Sequence, residues 1–182
     1  SDSLAVPARA SQQAGRDRRD EEGGGRCARG RARYPERSRG CDPEPEQKEN
    51  RLNDGRCDLG GRFRVGSMND LNRIQGQFDG NLYCYHPNGE CVSHNLPVGV
   101  ANGLAFSPDA SYMYFADTMR EIVWRFEYDV KQGKIWNQQV FLDLKNMPGK
   151  PDGACIDAEG CYWLAHVYGG KVVRYTPEGK LD

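Results

Sequence analysis

The chain has 182 residues and a mass of 20.4 kDa, which is room for one domain of ordinary size, or one domain with a tail. Lys+Arg 25 against Asp+Glu 26 leaves a net charge of −1, which excludes a protein-wide field that would steer the chain onto nucleic acid or an anionic membrane. The longest apolar runs, such as Ile122-Val123-Trp124, fall far short of the ~20 residues that cross a bilayer.

Residues 1–45 contain ten arginines and no lysine, with Leu4 and Val6 as the only large aliphatics. Such a segment cannot bury enough apolar surface to offset its chain entropy, and we expect it to be disordered. Its composition is foreign to the rest of the chain, as a mis-assigned coding start would give. An arginine-rich RNA-binding arm is disfavoured by the interleaved acids Asp17, Asp20, Glu21, Glu22 and Glu36. No basic-then-apolar leader and no Asn-x-Ser/Thr acceptor is seen, so the cytoplasm is the expected location. Seven cysteines without a C-x-x-C pair read as reduced, mostly buried thiols, neither a disulfide framework nor a zinc knuckle.

From Glu46 onward short runs rich in Val, Ile, Tyr, Phe and Trp alternate with Gly, Pro, Asn and Asp. The predicted strands are Arg62–Gly66, Leu82–Tyr85, Leu104–Phe106, Tyr112–Ala116, Ile122–Tyr128, Gln139–Leu142, Ala154–Ile156, Tyr162–Ala165 and Val172–Tyr175, with no helical period between them. The expected class is all-β. The segments Cys57–Phe63, Phe106–Tyr114 and Ile156–Trp163 are versions of one strand–turn–strand unit, repeating about every 50 residues. Each is followed by a third strand and another turn, which is the signature of a β-propeller blade.

A polar residue precedes glycine at the entrance to each unit: Asp54-Gly55, Asn102-Gly103 and Asp152-Gly153, the glycines 48 and 50 residues apart. One such pair is an ordinary turn signal. Recurrence at blade period suggests instead that Asp54, Asn102 and Asp152 face one another on the inner strands. Carboxylate and amide oxygens of this kind suit Ca²⁺, Mg²⁺ or Mn²⁺, with Zn²⁺ possible if a further carboxylate joins.

The segments Arg51–Asp58, Gly61–Met68, Asn102–Asp109, Tyr114–Asp117 and Pro151–Gly160 resemble, in order, the senescence-marker-protein-30 (regucalcin)/gluconolactonase family. The resemblance implies a six-bladed propeller, of which about three blades lie within 46–182, with one divalent cation at the channel mouth. It implies hydrolysis of sugar lactones, with the small-molecule lactone as partner and neither nucleic acid nor membrane involved. By position, Asn102 and Asp152 match metal ligands, and Arg51 and Asn53 match residues that hold the substrate. Asp54 matches an acid behind them, and Asp70 approximately matches an acid near the channel mouth. The family's remaining ligand, a glutamate of the first blade, has no counterpart. Arg64 stands where the family has an aromatic or apolar residue, and Tyr168 where an asparagine is common. In the implied chemistry Asp152 both ligates the metal and takes a proton from water, while Arg51 stabilises the oxyanion. The expected function is therefore metal-dependent lactone hydrolysis, requiring a longer chain to close the ring. The alternative is a non-catalytic calcium-binding or interaction propeller fragment.

Overall fold

The computed structural model describes residues 42–71 and 75–182, so the arginine-rich segment up to Cys41 lies outside the described residues. The strands are β1 (Asn50–Cys57), β2 (Phe63–Asn69), β3 (Leu82–Tyr85), β4 (Cys91–Ser93), β5 (Ala101–Phe106), β6 (Tyr112–Asp117), β7 (Ile122–Asp129), β8 (Lys134–Asp143), β9 (Lys150–Ile156), β10 (Tyr162–Val167) and β11 (Lys171–Tyr175). They form three antiparallel meanders in sequence order: β1 to β4, β5 to β8, and β9 to β11. Among the described residues there is no helix long and apolar enough to cross a membrane.

Each meander begins with the same hairpin device. Asp58 Oδ1 accepts the N–H groups of Gly60 and Arg62, both at 2.9 Å. Asp157 Oδ1 accepts those of Glu159 and Cys161 at 3.0 Å. Ser107 Oγ accepts the N–H of Tyr112 at 2.9 Å. A short polar side chain thus satisfies donors that the turn would otherwise strand, which is why these residue types recur there. The third position of the turn is left-handed in all three: Gly61 (φ 79°), Ala110 (φ 61°) and Gly160 (φ 84°). Alanine carries a Cβ penalty there that glycine does not. Tyr168, at φ 63°, is likewise strained where asparagine would be tolerated. Ala110→Gly and Tyr168→Asn are each expected to raise stability by about 0.5–1 kcal/mol, read as an increased urea midpoint at constant m.

The core lies between the sheets. Leu82 from the first packs with Val98, Ala101, Leu104, Met113, Phe115, Trp124, Phe126 and Tyr128. The first two sheets approach so closely that a Cβ on Gly66 would lie 2.1 Å from Ala101 Cβ. The second and third sheets meet through Tyr114, Val123, Leu142, Tyr162, Leu164 and Tyr175. The Tyr114, Phe141 and Tyr162 rings are 4.8–5.8 Å apart, in tilted and edge-on contacts. The third sheet's other face remains open: Trp163 is 39 % and Val172 64 % exposed. At the opposite end of the row, Glu44 folds back onto the first sheet, accepting hydrogen bonds from Ser67 Oγ and Tyr83 Oη at 2.7 Å. The ordered packing therefore starts before the composition change at Glu46.

Arg64 sits where an apolar side chain was expected because the first two sheets are joined by a buried ionic cluster. Asp58 accepts Arg62 Nε at 2.8 Å and Arg64 Nε at 3.4 Å, and all three side chains are buried. Arg62 also donates to Tyr128 Oη and to the Val130 carbonyl. Arg64 donates to the Gly133 carbonyl and reaches His94 Nε2 at 2.8 Å. Burial alone would raise the Asp58 pKa, but the backbone N–H and guanidinium of Arg62 outweigh it and hold the carboxyl below its ordinary value. Burial first, and then the Arg64 and His86 charges, push His94 down to about 4.

These shifts fix an acid response. A histidine depressed in the fold contributes stability that is complete above its unfolded pKa near 6.5 and is lost as pH falls toward about 4. Asp58 adds a loss only at lower pH, as its depressed folded-state carboxyl protonates. We expect about 2 kcal/mol to disappear between pH 6.5 and 4, and His94→Gln to flatten that limb. Urea titrations at fixed pH values measure it; an unchanged slope in His94→Gln would contradict the assignment.

The thiols among the described residues are not mostly buried, contrary to the expectation from the sequence. Cys57, Cys84, Cys91, Cys155 and Cys161 are all free, but Cys57 and Cys155 are exposed and only Cys84 and Cys161 are buried. The first pair sits on β1 and β9 at positions that the described residues leave uncovered.

Candidate active site

The inner strands β1, β5 and β9 each carry one extra residue at the same place. The register slips between Leu52 and Gly55 in β1, between Asn102 and Ala105 in β5, and between Leu164 and His166 opposite Pro151 and Ala154 in β9. The recurring Asx-Gly pairs lie on the inner strands at bulges, which redirect side chains without ending the pairing. Gly103 lies in one, at φ 61°, and a Cβ there would fall 2.4 Å from Tyr162 Oη. Tyr162 uses that space to donate to the Gly103 carbonyl at 2.8 Å, fastening β10 to β5.

Four of the candidate residues, Asp70, Arg51, Asn53 and Asn102, stand in one hydrogen-bonded line. Asp70 Oδ2 accepts Arg51 Nε at 2.7 Å, and its Oδ1 lies 3.4 Å from Arg51 Nη2, a forked ion pair that is half exposed. Arg51 Nη1 donates to Asn53 Oδ1 at 2.9 Å. Asn53 Nδ2 donates to the Ala101 carbonyl at 2.9 Å and stands 3.5 Å from Asn102 Oδ1. Asn102 is buried, and its Nδ2 donates to Thr118 Oγ1 at 2.9 Å. Thr118 donates in turn to the Pro151 carbonyl at 2.7 Å, one residue before Asp152.

Asp152 is partly buried, and among the described residues nothing donates to its carboxylate. Asn102 Oδ1, whose contact to Asn53 is too long to be strong, and the Asp152 carboxylate are hard oxygen donors that the described residues leave unsaturated. That chemistry fits a divalent cation as two of its ligands, although Ca²⁺ takes six to eight oxygens and these alone do not complete a shell.

Asp54 does not stand with them. The register puts Asn53, rather than Asp54, beside Asn102, and Asp54 Oδ2 accepts the Leu104 N–H at 2.9 Å. Arg56 Nη2 similarly reaches the Ala154 carbonyl at 2.7 Å, from β1 to β9. Asp54 and Arg56 thus satisfy backbone groups on the open edges of inner strands, a requirement that spacing alone does not reveal. Thr118 was also missed. It follows the Tyr114–Asp117 motif, and Asp117 holds its loop by accepting the N–H groups of Gly99 at 3.0 Å and Met119 at 2.9 Å.

A second group of ligand-type atoms, Asp157, Glu159 and Cys161, lies at the β9–β10 turn. Arg174 already bonds Asp157, Glu159 and Asp182 there, and Trp163 Nε1 donates to Asp157 at 2.8 Å. These contacts hold the Asp157 pKa down to about 2, led by the Trp163 hydrogen bond, and leave a turn anchor. A cavity of about 680 Å³ lies between the second and third sheets at the Ser107 end of β5, and Asn102 does not line it.

Three meanders side by side, joined through their first strands, are the architecture of a β-propeller. Residues 23–182 match the SMP-30/Gluconolactonase/LRE-like region, and the chain belongs to that family. It is 37 % identical over 137 residues to regucalcin of Xenopus laevis, covering 74 % of this chain and 46 % of the relative. It is 37 % identical over 141 residues to regucalcin of Bos taurus, with the same coverage of 74 % and 46 %. A solved luciferin-regenerating enzyme superposes with a TM-score of 0.73 at 32 % identity, over 78 % of this chain and 47 % of that one. A calcium-binding protein, regucalcin, of Agrobacterium tumefaciens gives 0.68 at 30 %, over 74 % and 44 %. The chain thus spans about half the length of the proteins it matches.

Proposed function

We propose that this chain supplies part of the cation and substrate site of a divalent-cation-dependent hydrolase acting on sugar lactones. The observation that supports this reading is the hydrogen-bonded line from Asp70 through Arg51, Asn53, Asn102 and Thr118 to the carbonyl of Pro151, the residue before Asp152, whose carboxylate takes no donor from the described residues. Asn102 Oδ1 and Asp152 are the cation ligands of this chain. A divalent cation bound there supplies Lewis-acid polarisation of the ring carbonyl and a more acidic water. Asp152 takes the proton of the attacking water at its free carboxylate oxygen. Arg51, its fork fixed by Asp70, faces the oxygen on which charge develops, and Asn53 hydrogen-bonds the sugar. The oxygen-only donor pair favours Ca²⁺, with Zn²⁺, Mg²⁺ and Mn²⁺ as the comparisons to make. Further sheets, beyond the three present, close the ring and complete the ligand shell. A cytoplasmic setting and a small-molecule partner go with this reading.

The test is proton release from gluconolactone in the presence of each cation. Cation-dependent turnover supports the hydrolase. Uptake of cation by this chain and by a ring-complete version of it, with no turnover in either, would leave a binding role only and refute the proposal.

A further inference from the structure

We infer that Thr118 sets the polarity of the site by fixing which end of the Asn102 amide faces the channel, an inference whose functional consequence rests on the cation reading above. A threonine hydroxyl carries one hydrogen. Thr118 Oγ1 lies 2.7 Å from the Pro151 carbonyl oxygen, which can only accept, so the hydroxyl hydrogen is committed there. Toward Asn102 the same oxygen can then only accept. Asn102 must present Nδ2 to Thr118, as the 2.9 Å contact has it, and Oδ1 is turned to the opposite side, toward Asn53. The reverse amide would set two acceptors against each other in a buried place, where an unmet polar group costs about 1–3 kcal/mol.

Thr118 and Asn102 are 8 % and 6 % exposed, so water does not readily substitute for either partner. Asp117 holds the flanking loop by accepting the N–H groups of Gly99 and Met119, and the Thr118 N–H donates to the Val100 carbonyl at 3.1 Å. The hydroxyl therefore has little freedom to turn. Through one side chain on the β6–β7 connection, the Asn102 amide of β5 and the Pro151 carbonyl at the start of the β9 bulge are held together. Thr118 touches no substrate and is a positioning residue.

Thr118→Val keeps the shape and removes the hydroxyl, while Thr118→Ser keeps the hydroxyl. Mn²⁺ affinity by calorimetry is expected to fall about 10–100-fold in Thr118→Val and to stay within about threefold of the parent in Thr118→Ser. A loss of stability alone would lower both variants' midpoints without separating their affinities. Because uptake of Mn²⁺ depends on the cation reading, a metal-free measurement accompanies it: a double-mutant cycle of Thr118→Val with Asn102→Ala in urea. Coupling of about fivefold or more in the unfolding equilibrium supports the lock, and additive effects overturn it. Equal Mn²⁺ affinity in the parent and Thr118→Val would overturn it as well. Absence of Mn²⁺ uptake by the parent would sink the cation reading, with the cycle still deciding the lock.

Discussion

Asp58→Ala is expected to cost about 3–5 kcal/mol, enough to unfold much of the population at ambient temperature. Asp58 is the sole carboxylate bonded to the buried guanidinium groups of Arg62 and Arg64 among the described residues, and Arg64 is fully buried. Removing it leaves two cations between the first and second sheets with only neutral acceptors: Tyr128 Oη, His94 and the carbonyls of Val130, Lys131 and Gly133. The same aspartate closes the β1–β2 turn through Gly60 and Arg62, so hairpin and interface fail together. Urea denaturation followed by the fluorescence of Trp124, which packs in the adjoining core, gives the loss directly. A midpoint lowered by less than the equivalent of 1 kcal/mol would mean that water enters and solvates the arginines.

Asp152→Asn is expected to do the reverse, leaving stability nearly unchanged while abolishing cation uptake. Nothing among the described residues donates to its carboxylate, so the fold loses no contact. Removing the anionic ligand is expected to weaken divalent-cation affinity at least about 100-fold, with cation-dependent lactone turnover falling in step. Full stability combined with lost affinity separates a ligand from a structural residue. Retained affinity in Asp152→Asn would move the cation elsewhere.

What the sequence could say followed the range of the interactions involved. The three strand–turn–strand units were legible because Asp58, Ser107 and Asp157 work within five residues of themselves, and their chemistry repeats. β3 matched residue for residue. β1 did not register as a strand because Asn53-Asp54-Gly55 carries turn chemistry that the fold uses as a bulge. β4, three residues of Cys, Val and Ser, is too short to show alternation. β8 begins at Lys134, ahead of the expected Gln139, because its first half is mostly exposed and polar. Recurrence pointed to Asp54, Asn102 and Asp152, and Asn53 came only with the family resemblance; the one-residue bulge turns Asp54 to the Leu104 N–H and sets Asn53 beside Asn102. Thr118 and Arg56 were invisible because their partners lie 33 and 98 residues away. The Arg62–Arg64 cluster is likewise a contact between sheets, and an arginine in a strand gives no local sign of burial.

The convergence of β1, β5 and β9 on a cation site is tested most directly by thermal unfolding of the 182-residue chain and its Asp152→Asn variant, with and without millimolar Ca²⁺. A cation bound only by the folded state at about 100 times its Kd adds about 2.7 kcal/mol, or roughly 5–10 °C in Tm. The expected result is a rise of that order in the parent and none in the variant. Equal responses to Ca²⁺ in the two proteins, whether both rise or both stay still, would contradict a site built on Asp152.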